Sequence, residues 1–184
     1  MSFIAKIKKY YYTKSIATLN RNRKKGQSRH KVSFASAKKV LLLFEAMDLN
    51  TQQAVQKYAK RLKEQGKKVN LLGFFDDKES RENLAFTYYN KKNIDWAGRV
   101  KGSEIEPFIK ESYDLLVNVN LISQEHTEHL ISQIDATLKA GPVSENTYIY
   151  DFMIDLPANA NIPTFLKQLE FYLKKINVKQ AVSV

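Results

Sequence analysis

Six cations, Arg21, Arg23, Lys24, Lys25, Arg29 and Lys31, fall within one short run around Gly26, and neither an acid nor an apolar residue interrupts them before Val32. Guanidinium and ammonium groups at this density do one kind of chemistry well: they meet successive phosphates and release condensed counterions. The run has no apolar area to offset roughly 1 to 2 kcal/mol of backbone entropy per ordered residue, so it needs a polyanion to take a shape. Upstream, Tyr10, Tyr11 and Tyr12 alternate with Lys8, Lys9 and Lys14. Aromatic faces beside cations can stack on unpaired bases while the charges hold the backbone. The other reading of these tyrosines is that they pack an amphipathic helix onto the body.

Three further constellations could do chemistry. In "EHTEH", His126 and His129 stand three apart on an expected helix with Glu125 and Glu128 alongside. The established zinc helix separates its histidines by four, and no third ligand has a defined position, so the expectation is a solvated polar helix face. Asp151 and Asp155 flank "FMI" on one face of a strand, where paired carboxylates could act as acid and base. Charges so placed more often guard an edge strand. Asp48, Asp76, Asp77, Asn118 and Asn120 follow apolar strands, where open α/β sheets bind ligands. Asp48, Asp76, Asn118 and Asn120 form the candidate ligand pocket, with loop starters and helix caps as the alternative. "FEAMDLNTQQA" carries no glycine, which excludes both the dinucleotide fingerprint and the P-loop. No serine has a nucleophile-elbow context, and the absence of cysteine removes thiolate catalysis and Cys-ligated metals. Neither an activity nor a cofactor is implied, and the expected metal set is empty.

The elements that would position these groups alternate along the chain. "SFIAKIKKYYYTKSIATL" sets Phe3, Ile4, Ile7, Tyr11 and Ile16 at helical spacing. "KKVLLLFEAMDL" is a doubly buried strand and "TQQAVQKYAKRLKEQG" a helix capped by Thr51 and stopped at Gly66. "KKVNLLGFFDD" returns as a parallel strand. Then come the strand "LAFTYYN", a loop with Trp96, and a short helix "SEIEPFIKES" in which Ser103 and Glu106 match a capping box. The strand "YDLLVNVNL", the "EHTEH" helix, the strand "DATLKAGP", a last strand in "TYIYDFMIDL" and the helix "NIPTFLKQLEFYLKKIN" complete the chain. The fold class is α/β: a single doubly wound, Rossmann-like, mostly parallel sheet behind a basic helical N-terminal extension. The extension occupies residues 1–36 and the α/β domain residues 37–184.

Charge is segregated between these parts. Residues 1–39 hold twelve of the 30 basic residues and none of the 19 acids, whereas the remainder is close to neutral. An ordinary solvated charge run mixes signs; this one does not. No apolar run reaches the roughly 18 to 20 residues of a membrane span, and the start lacks the pattern of a secretory signal, so the expected location is cytoplasmic. The expected partner is structured RNA, probed through Lys8, Lys9, Arg21, Arg23, Lys24, Lys25, Arg29 and Lys31, with rRNA in a ribonucleoprotein as the target. Nothing favours DNA. The alternative partner is an anionic membrane surface or membrane complex at its inner face, met by the basic helix with Phe3, Ile4 and Ile7.

"KKVLLLFEAMDL", "NIDWAGRVKGSEIEPFI", "YDLLVNVNL", "ATLKAGP" and "YDFMIDL", in that order, resemble a family of small bacterial proteins classed as a domain of unknown function. The resemblance implies a cytoplasmic α/β domain behind a Lys/Arg-rich start and brings no activity with it. "YDLLVNVNL" is also similar to a strand of heptosyltransferase-type glycosyltransferases, which supplies a further alternative, a small-molecule or sugar-transfer domain. There the strand ends in Asp; here Asn118 and Asn120 stand in its place, and the chain is too short for two such domains.

Overall fold

The computed structural model describes residues 33–157 and 159–178, with the side chains of 176–178 outside the description. The expected N-terminal helix and the whole cationic run lie outside the described residues. Strands β1 (Lys39–Glu45), β2 (Lys68–Phe75), β3 (Thr87–Asn90), β4 (Ser112–Asn118), β5 (Asp135–Pro142) and β6 (Phe152–Ile154) form one sheet in the order β3-β2-β1-β4-β5-β6. Every pairing between them is parallel. This is the doubly wound, Rossmann-like α/β arrangement, reversing direction between β1 and β4.

The unbroken apolar runs are explained by burial on both sides. In β1, Val40, Leu42 and Phe44 face one core and Leu41 and Leu43 the other, all at most 1% exposed. Helices α1 (Leu49–Glu64) and α4 (Ile162–Val178) cover the first face; α2 (Glu106–Lys110), α3 (Glu125–Gln133) and the connection through residues 94–100 cover the second. Phe165 of α4 is fully buried in the first core. Phe165→Ala is expected to lower the unfolding free energy by about 3 to 5 kcal/mol, read as a shifted urea midpoint at unchanged slope.

Local details depart from the expected boundaries for identifiable reasons. The cap of α1 is Asp48 rather than Thr51: its carboxylate accepts the Thr51 N–H at 2.8 Å, which starts the helix earlier. Gly66, with φ +81, ends that segment as anticipated. The Ser103–Glu106 capping box does not form, because the residue before α2, Ile105, is itself helical (φ −95, ψ −30), whereas a side-chain cap needs an extended residue there. Ser103 bonds Glu104 instead. Of "TYIYDFMIDL" only Phe152–Ile154 joins the sheet, and Tyr150 turns into the second core. Asp151 and Asp155 are exposed on either side of this edge strand, and Asp151 Oδ2 accepts the Lys139 N–H at 2.8 Å.

The root of the extension belongs to the domain. Phe34 and Ala37 are 2% exposed within the first core. Lys67, in the turn between α1 and β2, donates its ammonium hydrogens to the carbonyls of Phe34, Ala35 and Ala37 at 2.7, 3.3 and 2.6 Å. Burial pulls this ammonium below the usual lysine range, against the opposing pull of the nearby Asp114 and Glu170 carboxylates.

Candidate functional site

Where β1 and β4 diverge, an open α/β sheet leaves a crevice beyond its strand ends. Here two polar residues at the end of β4 are buried. Asn118, fully buried, donates its side-chain amide to the Tyr150 hydroxyl at 2.7 Å and accepts the Asn120 N–H at 3.2 Å. Asn120, 5% exposed, accepts the Glu45 N–H at 2.6 Å. A Cβ on Gly141 would approach the Tyr150 ring to 2.5 Å, so glycine at that point of β5 is what admits the ring. Burial pushes the Tyr150 phenol up to about 12, which keeps it a neutral hydrogen-bonding group.

Next to it sits Glu128, 4% exposed, whose carboxylate accepts from Ser123 Oγ at 2.6 Å and also from Ser144 and Asn146. Sequence reasoning attached no such role to Glu128, Ser123 or Tyr150. Their partners come from separate loops after β4 and β5, and no local spacing announces them.

The candidate pocket residues each have their own partners. Asn118 and Asn120 meet each other inside the crevice, Asp48 caps α1, and Asp76 forms an ion pair with Lys91 at 3.0 Å. Asp77, next to it, is gripped by Arg81, whose hydrogen bonds hold its carboxyl down to about 2. Lys8, Lys9, Arg21, Arg23, Lys24, Lys25, Arg29 and Lys31 lie outside the described residues.

The polar face of α3 is not solvated, contrary to expectation. Thr127, Glu128 and His129 are all at most 4% exposed: Thr127 meets the Tyr89 hydroxyl at 3.4 Å, Glu128 the loops after β4 and β5, and His129 Nδ1 the Val100 N–H of the connection through residues 94–100 at 3.4 Å. His126 packs on Phe74, with ring centroids 4.2 Å apart, and its Nε2 is buried without a hydrogen-bond partner among the described residues. No group of three or more metal-ligating side chains occurs among the described residues.

Burial drives the His126 pKa down to about 4, only partly opposed by Asp76, and burial lowers His129 too. The native state therefore binds fewer protons than the unfolded chain between about pH 6.5 and pH 4, and stability falls as pH falls through that window. The loss assigned to His126 is of order 2 to 3 kcal/mol. Thermal melts from pH 7.5 to 4.5 should show a declining midpoint in the native protein and a shallower decline in His126→Phe, with His129 supplying the remainder.

The same residues place the protein among known sequences. Searches of curated proteins and of solved structures return no match. A family model does match, over residues 8–176. It takes in the whole tyrosine cluster with Lys8, Lys9 and Lys14, the cationic run, all six strands and nearly all of α4, and the chain accordingly belongs to the family of unknown function DUF6913.

Proposed function

We propose that this is a non-enzymatic RNA-binding protein, associated with the ribosome in the cytoplasm and held there by its basic N-terminal arm. The observation that carries the reading is the segregation of charge: twelve cations and no acid in residues 1–39, ahead of a body whose charges nearly balance. A chain that needed net charge only for solubility would have no reason to collect it at one end; a phosphate-binding arm does.

The test is capture from lysate by the tagged full chain, with and without RNase, followed by co-sedimentation with ribosomes at moderate salt. The expected result is a ribosomal protein and rRNA fraction that disappears on RNase treatment. Capture unaffected by RNase, or sedimentation apart from ribosomes, counts against the reading.

A further inference from the structure

The outer face of the domain carries an open groove of about 1010 Å³ between α1 and α4. Lys57, Lys60 and Arg61 line it from α1, and Lys167 and Lys174 from α4, against only Glu64 and Glu170. The spacing is that of one helix face: Lys57 and Lys60/Arg61 are about one turn apart, roughly 5.4 Å, and Lys167 and Lys174 two turns apart. Glu170, 7% exposed, is already engaged by Arg61 and by Lys174, the latter at 2.6 Å. Lys57, Lys60 and Lys167 are exposed and make no ion pair among the described residues. Phe171, half exposed, adds an aromatic face to the same lining.

The groove is joined to the arm. Lys174 Nζ stands 5.6 Å from the centroid of Phe34, and Lys67, which holds the Phe34 carbonyl, stands 5.1 Å from the same ring. Phe34, at the start of the described residues, therefore stands beside the Lys174 end of the groove. The cationic run of residues 21–31 is joined in sequence to this end of the groove through Phe34, and like charges do not pair with each other; a polyanion running along both satisfies them together.

We infer that the α1/α4 groove is the folded domain's own RNA-contact surface, with Lys57, Lys60 and Lys167 on backbone phosphates and Phe171 stacking on a base, continuous with the arm. The inference rests on the RNA-binding reading above and adds the place on the body where the RNA lies. Self-docking of the arm's helix is the weaker occupant, because Lys6, Lys8, Lys9 and Lys14 would enter a groove already in cationic excess.

The experiment uses the full chain and a fluorescein-labelled stem–loop RNA, with anisotropy titrations across a salt series. The triple variant Lys57→Glu, Lys60→Glu, Lys167→Glu is expected to bind at least about tenfold more weakly and to flatten the log–log salt slope by about 2 to 3, with an unchanged thermal midpoint. Phe171→Ala is expected to weaken binding about tenfold at unchanged salt slope, the mark of stacking rather than charge. Native affinity and slope in the triple variant overturn the inference. So does loss of binding to phosphatidylglycerol vesicles in that variant with RNA affinity unmoved, which reassigns the groove to a lipid surface. A chain whose arm cations are exchanged for glutamine separates the two claims: native RNA binding there with loss in the triple variant overturns the arm and keeps the groove, and the reverse pattern overturns the groove alone.

Discussion

Exchanging Lys8, Lys9, Arg21, Arg23, Lys24, Lys25, Arg29 and Lys31 for glutamine in the full chain is expected to lower affinity for structured RNA by at least about a hundredfold near physiological salt. Each cation that contacts a phosphate contributes about 0.9 to the slope of log affinity against log salt on a duplex, and about 0.7 on a single strand. Eight such contacts account for a slope near 6 to 7, and a protein with that many loses about 10³ to 10⁵ in affinity between 50 and 200 mM salt. The variant's slope should shrink to what the body supplies. Because glutamine keeps length and polarity, the change isolates charge. A variant with native slope would show that these cations meet no phosphate, and the arm would need another explanation.

The second large effect is on stability. Asn118→Asp places a carboxylate at a position with no exposure, where Asn118 now donates to Tyr150 and accepts from Asn120. The amide donor is lost, and the charge has no cation among the crevice partners named above. Leaving a buried charge uncompensated costs about 3 to 5 kcal/mol, a large part of the 5 to 15 kcal/mol typical of a folded domain. Burial raises the carboxyl pKa of the variant above its unfolded value, so the native state holds the proton longer and the penalty grows as pH rises past about 4. Protonated, the side chain nearly reproduces the amide. Urea melts of variant and native protein at matched pH should therefore differ most at pH 7 and above and converge toward pH 5. A difference below about 1 kcal/mol at pH 7 would mean that water reaches the crevice and that it is not sealed.

The parts of the fold that were legible in the sequence are those whose signal is local. β1 and β4 read as strands because both faces of "VLLLF" and "LLV" are buried, and that leaves no polar interruption within either run. Gly66 read as a helix stop because only glycine sits easily at its positive φ. The misjudged parts depend on what lies across the fold. The His126 and His129 spacing looked like a wetted helix face, and nothing within "EHTEH" tells that Val100, some thirty residues earlier, meets His129. Asn118 and Asn120 were placed correctly at a strand end, but their consumption by Tyr150 and Glu45 needs two other segments. The groove was illegible for the same reason. Lys57 and Lys60 have the spacing of any solvated helix face, and only the position of α4 beside α1 sets Lys167 and Lys174 opposite them.

Lys67 gives the arm a fixed origin. By tying the backbone carbonyls of Phe34, Ala35 and Ala37 to the corner between α1 and β2, it fixes these residues on the body, with the Phe34 ring beside Lys174. On the proposed reading, the arm and the groove joined at such a point act as a chelate: once one is occupied, the other meets the same strand at an effective concentration in the millimolar range, set by the short span between them. Tight attachment then follows from geometry, with each segment alone remaining easy to displace.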